Sequence, residues 1–458
     1  MAMVHVELPL AILMVALLGT MVLAATPAGG KNDDLVRNGD FAAEGKDNLP
    51  AQWTPWVAVW KHARCLVRRT PEGLLVDAPE SPWAVGGVVQ ELRGIRGGQA
   101  YAVDVRCRAK GLASRRQSIG VRVSWTKKRK LLHPAGVLVR GPAPAGRELA
   151  FRDVLVAPDD ADGAKLALEV KWPRGGSVLF RRVRVQPAPK PKPRKVRLGT
   201  VFLRPQRSTP ERNLTLWCKK VAEAGRLKLD ALCLCEAILA VGTKRSVSQL
   251  AEPIPGPSTK RLGEAARAAH CYVVAGLIER VGETLYNTAV LIDRTGKLVG
   301  TYRKVHLPRE EWRKGVTPGG DWPVFQTDFG TVAIQICYDW FFPEAASAFA
   351  LGGAEVLFAP TWGTTFRDKD GCVEGENIFR VRARDNGLYL VPSVYDGSSM
   401  VIDPLGRILA TSDGENEGVY WAEVDLARRE PLWWVGHWRS IGPRHRMPAT
   451  YKPLTKGP

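Results

Sequence analysis

The sequence predicts two folded units in one chain, an antiparallel β-sandwich followed by an α/β layered domain. Three observations predict this. Short segments of alternating apolar and polar residues, separated by Gly, Pro and Asp, fill positions 33–186, the pattern of half-buried antiparallel strands. Beyond position 196 apolar strands alternate with helical stretches, the pattern of a layered α/β domain. Between the two, Gln186–Lys195 holds four prolines in alternation with other residues, which favours an extended, semi-rigid spacer. The 458 residues suit two or three domains at roughly 100–200 residues each. With 45% hydrophobic residues the chain can bury full cores, which excludes disordered, collagenous and coiled-coil classes.

The first element is the apolar run at 8–25, LPLAILMVALLGTMVLAA, followed by small and polar residues. Its Val22-Leu23-Ala24 and Leu23-Ala24-Ala25 triplets suit signal-peptidase cleavage, so 1–25 reads as a signal peptide and the destination as periplasmic or extracellular. Met1–Pro9 contains Glu7 and His5 but no Lys or Arg. An uncleaved membrane tether is therefore the alternative. No apolar run of about 18 residues follows, which excludes a multi-span membrane protein.

The second element, 26–186, contains GGVVQEL, AYAVDVRCRA, SIGVRVSW, LAFRDVLVA, KLALEVKW and SVLFRRVRV. Asn38-Gly39-Asp40-Phe41, then Leu49-Pro50 and Trp53, resembles the start of galactose-binding-like jelly rolls, the fold of many carbohydrate-binding modules. That resemblance makes Trp53, Trp56, Trp60, Trp83, Trp125 and Trp172 candidate stacking platforms for a glycan, although aromatics in a sandwich more often pack its core or rim. From Lys31 to Lys195 there are 32 basic and 16 acidic residues, most of the net +20 of the whole chain. Such a field attracts acidic polymers, nucleic acid or anionic lipid. The bases are scattered along strands and no nucleic-acid-binding signature accompanies them, so no nucleic-acid partner is expected.

Residues 187–195 form the linker and 196–458 the second domain. Its strands are VRLGTVFL, ALCLCEA, CYVVAGLIE, YNTAVLID, VAIQICYD, EVLFAPTW and LYLVPSVY. Its helices are ERNLTLWCKKVAEAGRLK, STKRLGEAARAAH and NIFRVRARDNG. Of eight Cys, only Cys65 and Cys107 precede the linker, where they are close enough in kind to pair; Cys218, Cys233, Cys235, Cys271, Cys337 and Cys372 are spread through apolar contexts. Neither a disulfide scaffold nor a zinc site follows from those spacings.

Three polar residues stand at or just past the ends of apolar strands. Glu236 ends ALCLCE, Lys304 follows KLVGTYR and Cys337 interrupts TVAIQICYDW. Strand ends are where an α/β sheet presents groups to a cleft. A Cys nucleophile needs a base, which a carboxylate can be in a desolvated pocket. The oxyanion formed on an attacked carbonyl needs a fixed positive group, which an ammonium supplies. The three together suffice for acyl transfer through a thioester.

The surrounding segments are ordered motifs. They run Tyr286-Asn287-Thr288-Ala289, Tyr302-Arg303-Lys304-Val305-His306-Leu307-Pro308, Thr317-Pro318-Gly319, Ile336-Cys337-Tyr338-Asp339-Trp340-Phe341-Phe342-Pro343-Glu344, Pro360-Thr361-Trp362 and Arg382-Ala383-Arg384-Asp385-Asn386. Over roughly 196–440 the chain resembles the nitrilase (carbon–nitrogen hydrolase) superfamily. The resemblance implies a four-layer α–β–β–α sandwich with Cys337 as nucleophile, Glu236 as general base and acid, and Lys304 on the tetrahedral intermediate. It also implies the Tyr338 backbone N–H as second oxyanion donor, Glu311 as a further Glu orienting the substrate, Trp362 as a pocket wall and His306 as structural. The Cys-Tyr-Asp sequence resembles the amidase and carbamoylase branches, which implies a small amide or N-carbamoyl substrate. No metal or organic cofactor is implied, and a homo-oligomer is expected. An acyltransferase sharing the acyl-enzyme, and a catalytically degenerate glycan-binding protein, are the alternatives.

Overall fold

The structure, a computed structural model, describes residues 33–78, 81–132, 136–363, 374–429, 431–432 and 436–455. The signal-peptide assignment at 1–25 and Cys372 lie outside the described residues.

Two antiparallel sheets, each of six strands among the described residues, make up the first unit. In one, Thr54–Val57, Val85–Leu92, Gly163–Lys171, Ile119–Lys127 and Lys130–Leu131 lie side by side, with Val137–Leu138 also on Ile119–Lys127. In the other the order is Leu66–Thr70, Gly73–Asp77, Ser177–Ala188, Ala100–Lys110, Glu148–Val156 and Ala143–Ala145. Alternation in the sequence becomes alternation in burial. Along Ala100–Lys110 the side chains of Tyr101, Val103, Val105 and Cys107 are buried, whereas Asp104 and Arg106 are not, as a period of two requires. Both sheets share one core that includes Phe41, Trp53, Val121, Phe151, Leu168 and Phe180.

The Asn38–Trp53 segment is a structural clasp. Asn38, at φ +52°, donates its side-chain amide to the carbonyls of Ala43 and Ala51 and accepts from the Ala43 N–H. The Trp53 indole N–H donates to the Asn38 carbonyl at 3.0 Å. Trp53 and Trp125 are therefore core residues. Cys65 and Cys107 are buried free thiols; burial, then Asp77 beside the first and Glu148 beside the second, pushes each up to about 12. The last strand of this unit ends at Ala188 and the next begins at Lys195, so the Pro/Lys run bridges 189–194.

The second unit stacks two mixed sheets. One has the order Leu298–Arg303, Thr284–Ile292, Tyr272–Val281, Ala231–Cys233, Lys195–Phe202, Gly418–Asp425. The other runs Val324–Gln326, Thr331–Ile334, Val356–Gly363, Tyr389–Asp396, Met400–Ile402, Ile408–Thr411. Their facing sides share one core, in which Leu198, Val274 and Leu291 meet Ile334, Leu357 and Val391. Hydroxyls tie the layers across it, Thr200 to the Pro392 carbonyl at 2.7 Å and Ser393 to the Val201 carbonyl at 2.8 Å.

Helices cover the outer faces. Pro210–Arg226 starts with Thr209 accepting from the Arg212 N–H and with Pro at its first turn, where the missing N–H costs nothing. It buries Leu214, Trp217, Val221 and Ala224, the three-and-four spacing of one helical face. Pro257–Ala269 packs with it and ends at His270 in the left-handed region. Phe349 of Pro343–Leu351 and Phe379 of Glu374–Asn386 pack into the core of the second sheet.

The chain after the last strand returns to the first unit. Arg444, 5% exposed, donates to the carbonyls of Ile119 and Val139 at 3.1 Å and Gly141 at 2.6 Å. Arg429 grips Asp153 at 2.6 Å. The two units thus meet through buried, charge-assisted contacts.

Candidate active site

Glu236 stands three residues beyond Ala231–Cys233, at a turn where Ala237 takes φ +45°. Gly276 on the neighbouring strand lets this turn approach, because a Cβ there would lie 2.7 Å from Glu236 Cα. One oxygen of the buried Glu236 side chain accepts from Lys304 Nζ at 2.8 Å and from Asn287 Nδ2 at 2.7 Å. The other oxygen, Oε2, is buried with no partner but the Cys337 thiol.

Lys304 follows the strand Leu298–Arg303 and is 0% exposed. Its backbone N–H donates to the Asn287 carbonyl, and its ammonium lies between the carboxylates of Glu236 and Glu311. Burial alone would pull its pKa down. The carboxylate charges of Glu236 and then Glu311 outweigh it and hold Lys304 well above the ordinary lysine range. Glu311 sits on the one-turn helix Arg309–Trp312 and accepts from Asn287 Nδ2 at 3.0 Å. The Asn287 amide thereby bridges both carboxylates. Burial, then the Glu236 charge, pushes the Glu311 carboxyl up.

Cys337 opens a 3₁₀ turn, Cys337–Phe341, just past the strand Thr331–Ile334. Its φ of +40° is the left-handed region, costing a non-glycine residue about 1–3 kcal/mol that the surrounding packing must hold. Burial and then the Glu236 carboxylate push the thiol above its ordinary range, against Lys304 and a hydrogen bond from the Trp362 backbone N–H. Lys304 pulls the thiol down and desolvation pushes it up by more, so Cys337 needs a base to become a thiolate. Iodoacetamide labelling of Cys337, read by intact mass beside the Cys337→Ala variant, should keep accelerating above the ordinary cysteine range. A plateau near neutrality would contradict this.

Four sequence-predicted residues therefore share one cluster contributed by both sheets, with Glu236 and Lys304 buried and Glu311 and Cys337 partly exposed. The carbon-nitrogen hydrolase family model matches residues 197–432. The chain belongs to the carbon–nitrogen hydrolase family. A nitrilase of Pyrococcus abyssi is 32% identical over 247 residues, covering 50% of this chain and 90% of its own. The omega-amidase of Mus musculus is 31% identical, covering 47% of this chain and 84% of its own. Among solved structures, Saccharomyces cerevisiae Nit3 superposes with a TM-score of 0.44 at 26% identity, covering 50% of this chain and 90% of its own.

This carbon–nitrogen hydrolase braces its cysteine turn through Asp339 and Arg382, to which the sequence alone assigned no role, together with His306. Asp339, fully buried, accepts from Tyr302 Oη at 2.8 Å, the Ile336 N–H at 2.9 Å and the His306 N–H at 3.0 Å, with His306 Nδ1 at 2.9 Å. His306 stacks on Phe342 with centroids 3.9 Å apart, which fits its structural reading. Arg382 of the Arg-Ala-Arg-Asp-Asn motif donates to the carbonyls of Trp340 at 3.2 Å and Phe341 at 3.1 Å, closing the turn from the helix side. The Asp339→Ala change strands these buried donors at about 1–3 kcal/mol each. It should cost roughly 3–5 kcal/mol of stability, measured by urea unfolding, and should slow turnover by releasing the turn.

The Tyr338 ring packs on Phe341 and Phe342, with centroids at 5.1 and 5.5 Å. It points to this aromatic cluster, and its N–H lies in the first turn of the 3₁₀ helix, where intrahelical partners are lacking. Trp362 is 39% exposed and packs on Tyr395 at 5.2 Å. Among the described residues no group of three or more His, Cys, Asp or Glu is arranged to hold a metal ion.

Proposed function

We propose that this enzyme hydrolyses the non-peptide carbon–nitrogen bond of a small amide or N-carbamoyl compound through a thioester on Cys337. The observation that carries the reading is the buried Glu236 carboxylate, held through one oxygen by Lys304 and Asn287 while Oε2 is left for the Cys337 thiol. Glu236 takes the thiol proton as sulfur attacks the carbonyl carbon. Lys304 and the Tyr338 N–H stabilise the oxyanion. Collapse breaks the carbon–nitrogen bond, and Glu236 passes its proton to the departing ammonia or amine. Water then gives a proton to Glu236 and its hydroxyl to the acyl carbon. The acid leaves and the proton returns to sulfur. Glu311 orients the substrate nitrogen, and Trp362 forms the outer wall.

The names of the nitrilase and omega-amidase relatives support a carbon–nitrogen bond, and the Cys-Tyr-Asp sequence favours amide over nitrile. Ammonia release from a panel of amides, N-carbamoyl compounds and nitriles tests this. Turnover of amides or carbamoyl compounds is expected, and turnover confined to nitriles would overturn the substrate assignment.

The reading extends to the whole chain. It takes 1–25 as an export signal, 26–186 as a galactose-binding-like jelly roll, 187–195 as linker and 196–458 as the hydrolase domain in a homo-oligomer. The Asn38–Trp53 clasp and the run at 8–25 support it. With Trp53 and Trp125 committed to the core, a sugar would have to meet Trp56, Trp60, Trp83 or Trp172.

A further inference from the structure

Strand register gathers three loops of the first unit at one end of one sheet. Trp56 pairs with Gly87 and Val57 with Gly86, Arg64 bridges to Val85, and Lys171 also pairs with Val85. Segments 58–66, 81–84 and 172–174 are therefore neighbours. They carry, with Trp56, the exposed large apolar side chains Val59 (96% exposed), Trp60 (71%), Leu66 and Trp83. Apolar side chains scattered singly on a surface need no explanation, but a contiguous set does.

This exposure is built rather than slack. Arg64 donates through Nε to the Ala58 carbonyl at 2.8 Å and through Nη2 to the Val59 carbonyl at 3.0 Å. The Ala63 N–H closes a turn on the Trp60 carbonyl. Opposite, Trp172 and Arg174 hold φ values of +52° and +49°, a conformation that costs energy in non-glycine residues. The loop backbone is held so that Val59 and Trp60 point outward.

The rim is basic. Lys61 lies in the loop, Lys171 Nζ sits 4.7 Å over the Trp172 ring, and the Arg174 guanidinium sits 4.9 Å over the Trp83 ring. Among the described residues, Asp77 is paired with Arg68 at 2.8 Å and Glu169 with Arg122 at 2.9 Å.

We propose that this end of the first unit docks on an anionic lipid surface, inserting Val59 and Trp60 while Lys61, Lys171 and Arg174 meet the headgroups. Charge complementarity and side-chain type choose this occupant. Trp side chains settle at the membrane interface and cations at its anionic surface. A sugar ring needs a bare aromatic face, and the cations already cover faces of Trp83 and Trp172. A nearly fully exposed valine gains most from an apolar phase. The assignment is independent of the chemistry at Cys337.

Co-flotation of the full chain with phosphatidylserine/phosphatidylcholine vesicles, compared with phosphatidylcholine alone, tests it. The Val59→Asp/Trp60→Ser variant, with amide turnover and thermal midpoint as controls of folding, should lose at least about tenfold in vesicle affinity. Charge reversal at Lys61 and Arg174 should remove the preference for anionic vesicles. Undiminished binding by the first variant would overturn the proposal, because another element, such as the run at 8–25, would then carry it. Equal binding to neutral vesicles would overturn the anionic part. Retention on a soluble polyuronate without vesicle binding would make the occupant an acidic glycan, and a dimer lost in the variant without vesicle binding would make it a second copy.

Discussion

Replacing Cys337 with alanine is expected to abolish turnover while leaving a folded protein that still binds substrate. The proposed path has no other nucleophile. Glu236 and Lys304, 2.8 Å apart in the native protein, would have no sulfur to activate. Loss of a nucleophile that acts as a unit with its base typically removes about 10⁴-fold or more of the rate. The fold should tolerate the change, because Ala meets the same φ of +40° that Cys337 already bears and the lost sulfur is small. Stability should therefore move by about 1 kcal/mol at most. Ammonia release and a thermal midpoint on the same preparation separate lost chemistry from lost folding. Substantial turnover by a folded variant would rule out Cys337 as nucleophile.

The second large effect is expected from Lys304→Met, and it should fall on stability as well as activity. Lys304 is the cation between the two carboxylates of Glu236 and Glu311, which Asn287 also bridges. Removing one member of a buried ionic cluster leaves uncompensated charge, at about 3–5 kcal/mol. The pH dependence has a definite sign. In the native protein the Lys304 pKa is raised above its ordinary value. Its contribution is therefore complete below the ordinary lysine range and is lost only in strong alkali. In the variant the Glu311 carboxyl, already pushed up by burial and then the Glu236 charge, loses its counter-charge and rises further above its unfolded value. The stability held by the protonated form is then present in acid and disappears as pH rises through the raised value. Urea unfolding should show a larger deficit at neutral than at acid pH. A deficit independent of pH, or larger in acid, would contradict this electrostatic account.

What the sequence disclosed depended on whether local pattern or tertiary encounter set each feature. Glu236, Lys304 and Cys337 were legible because each is a polar interruption at the edge of an apolar strand. The helices at 210–226 and 257–269 were legible from their period and from Pro at the first turn. Asn287 read as one polar residue in YNTAVLID, and its bridging role appears only when two strand ends and the Arg309–Trp312 turn converge on it. Asp339 read only as part of the motif around the cysteine, and its place under Tyr302 and His306 appears once the 3₁₀ turn folds it inward. The upward shift of the Cys337 thiol was not legible, because charge order along the chain does not reveal desolvation. The fate of the tryptophans shows the same limit. The β period marks which face a residue occupies, but only the packed sheets decide that Trp53 is buried while Trp60 is not.

The most direct test of the Glu236–Lys304–Cys337 account is the intact mass of the enzyme, quenched in acid during turnover of an amide that releases ammonia. The account predicts a mass increase equal to the acyl group, located on the peptide carrying Cys337 and absent from the Cys337→Ala variant. Steady ammonia release from the native enzyme with no acyl adduct, and an equal rate from the variant, would contradict it.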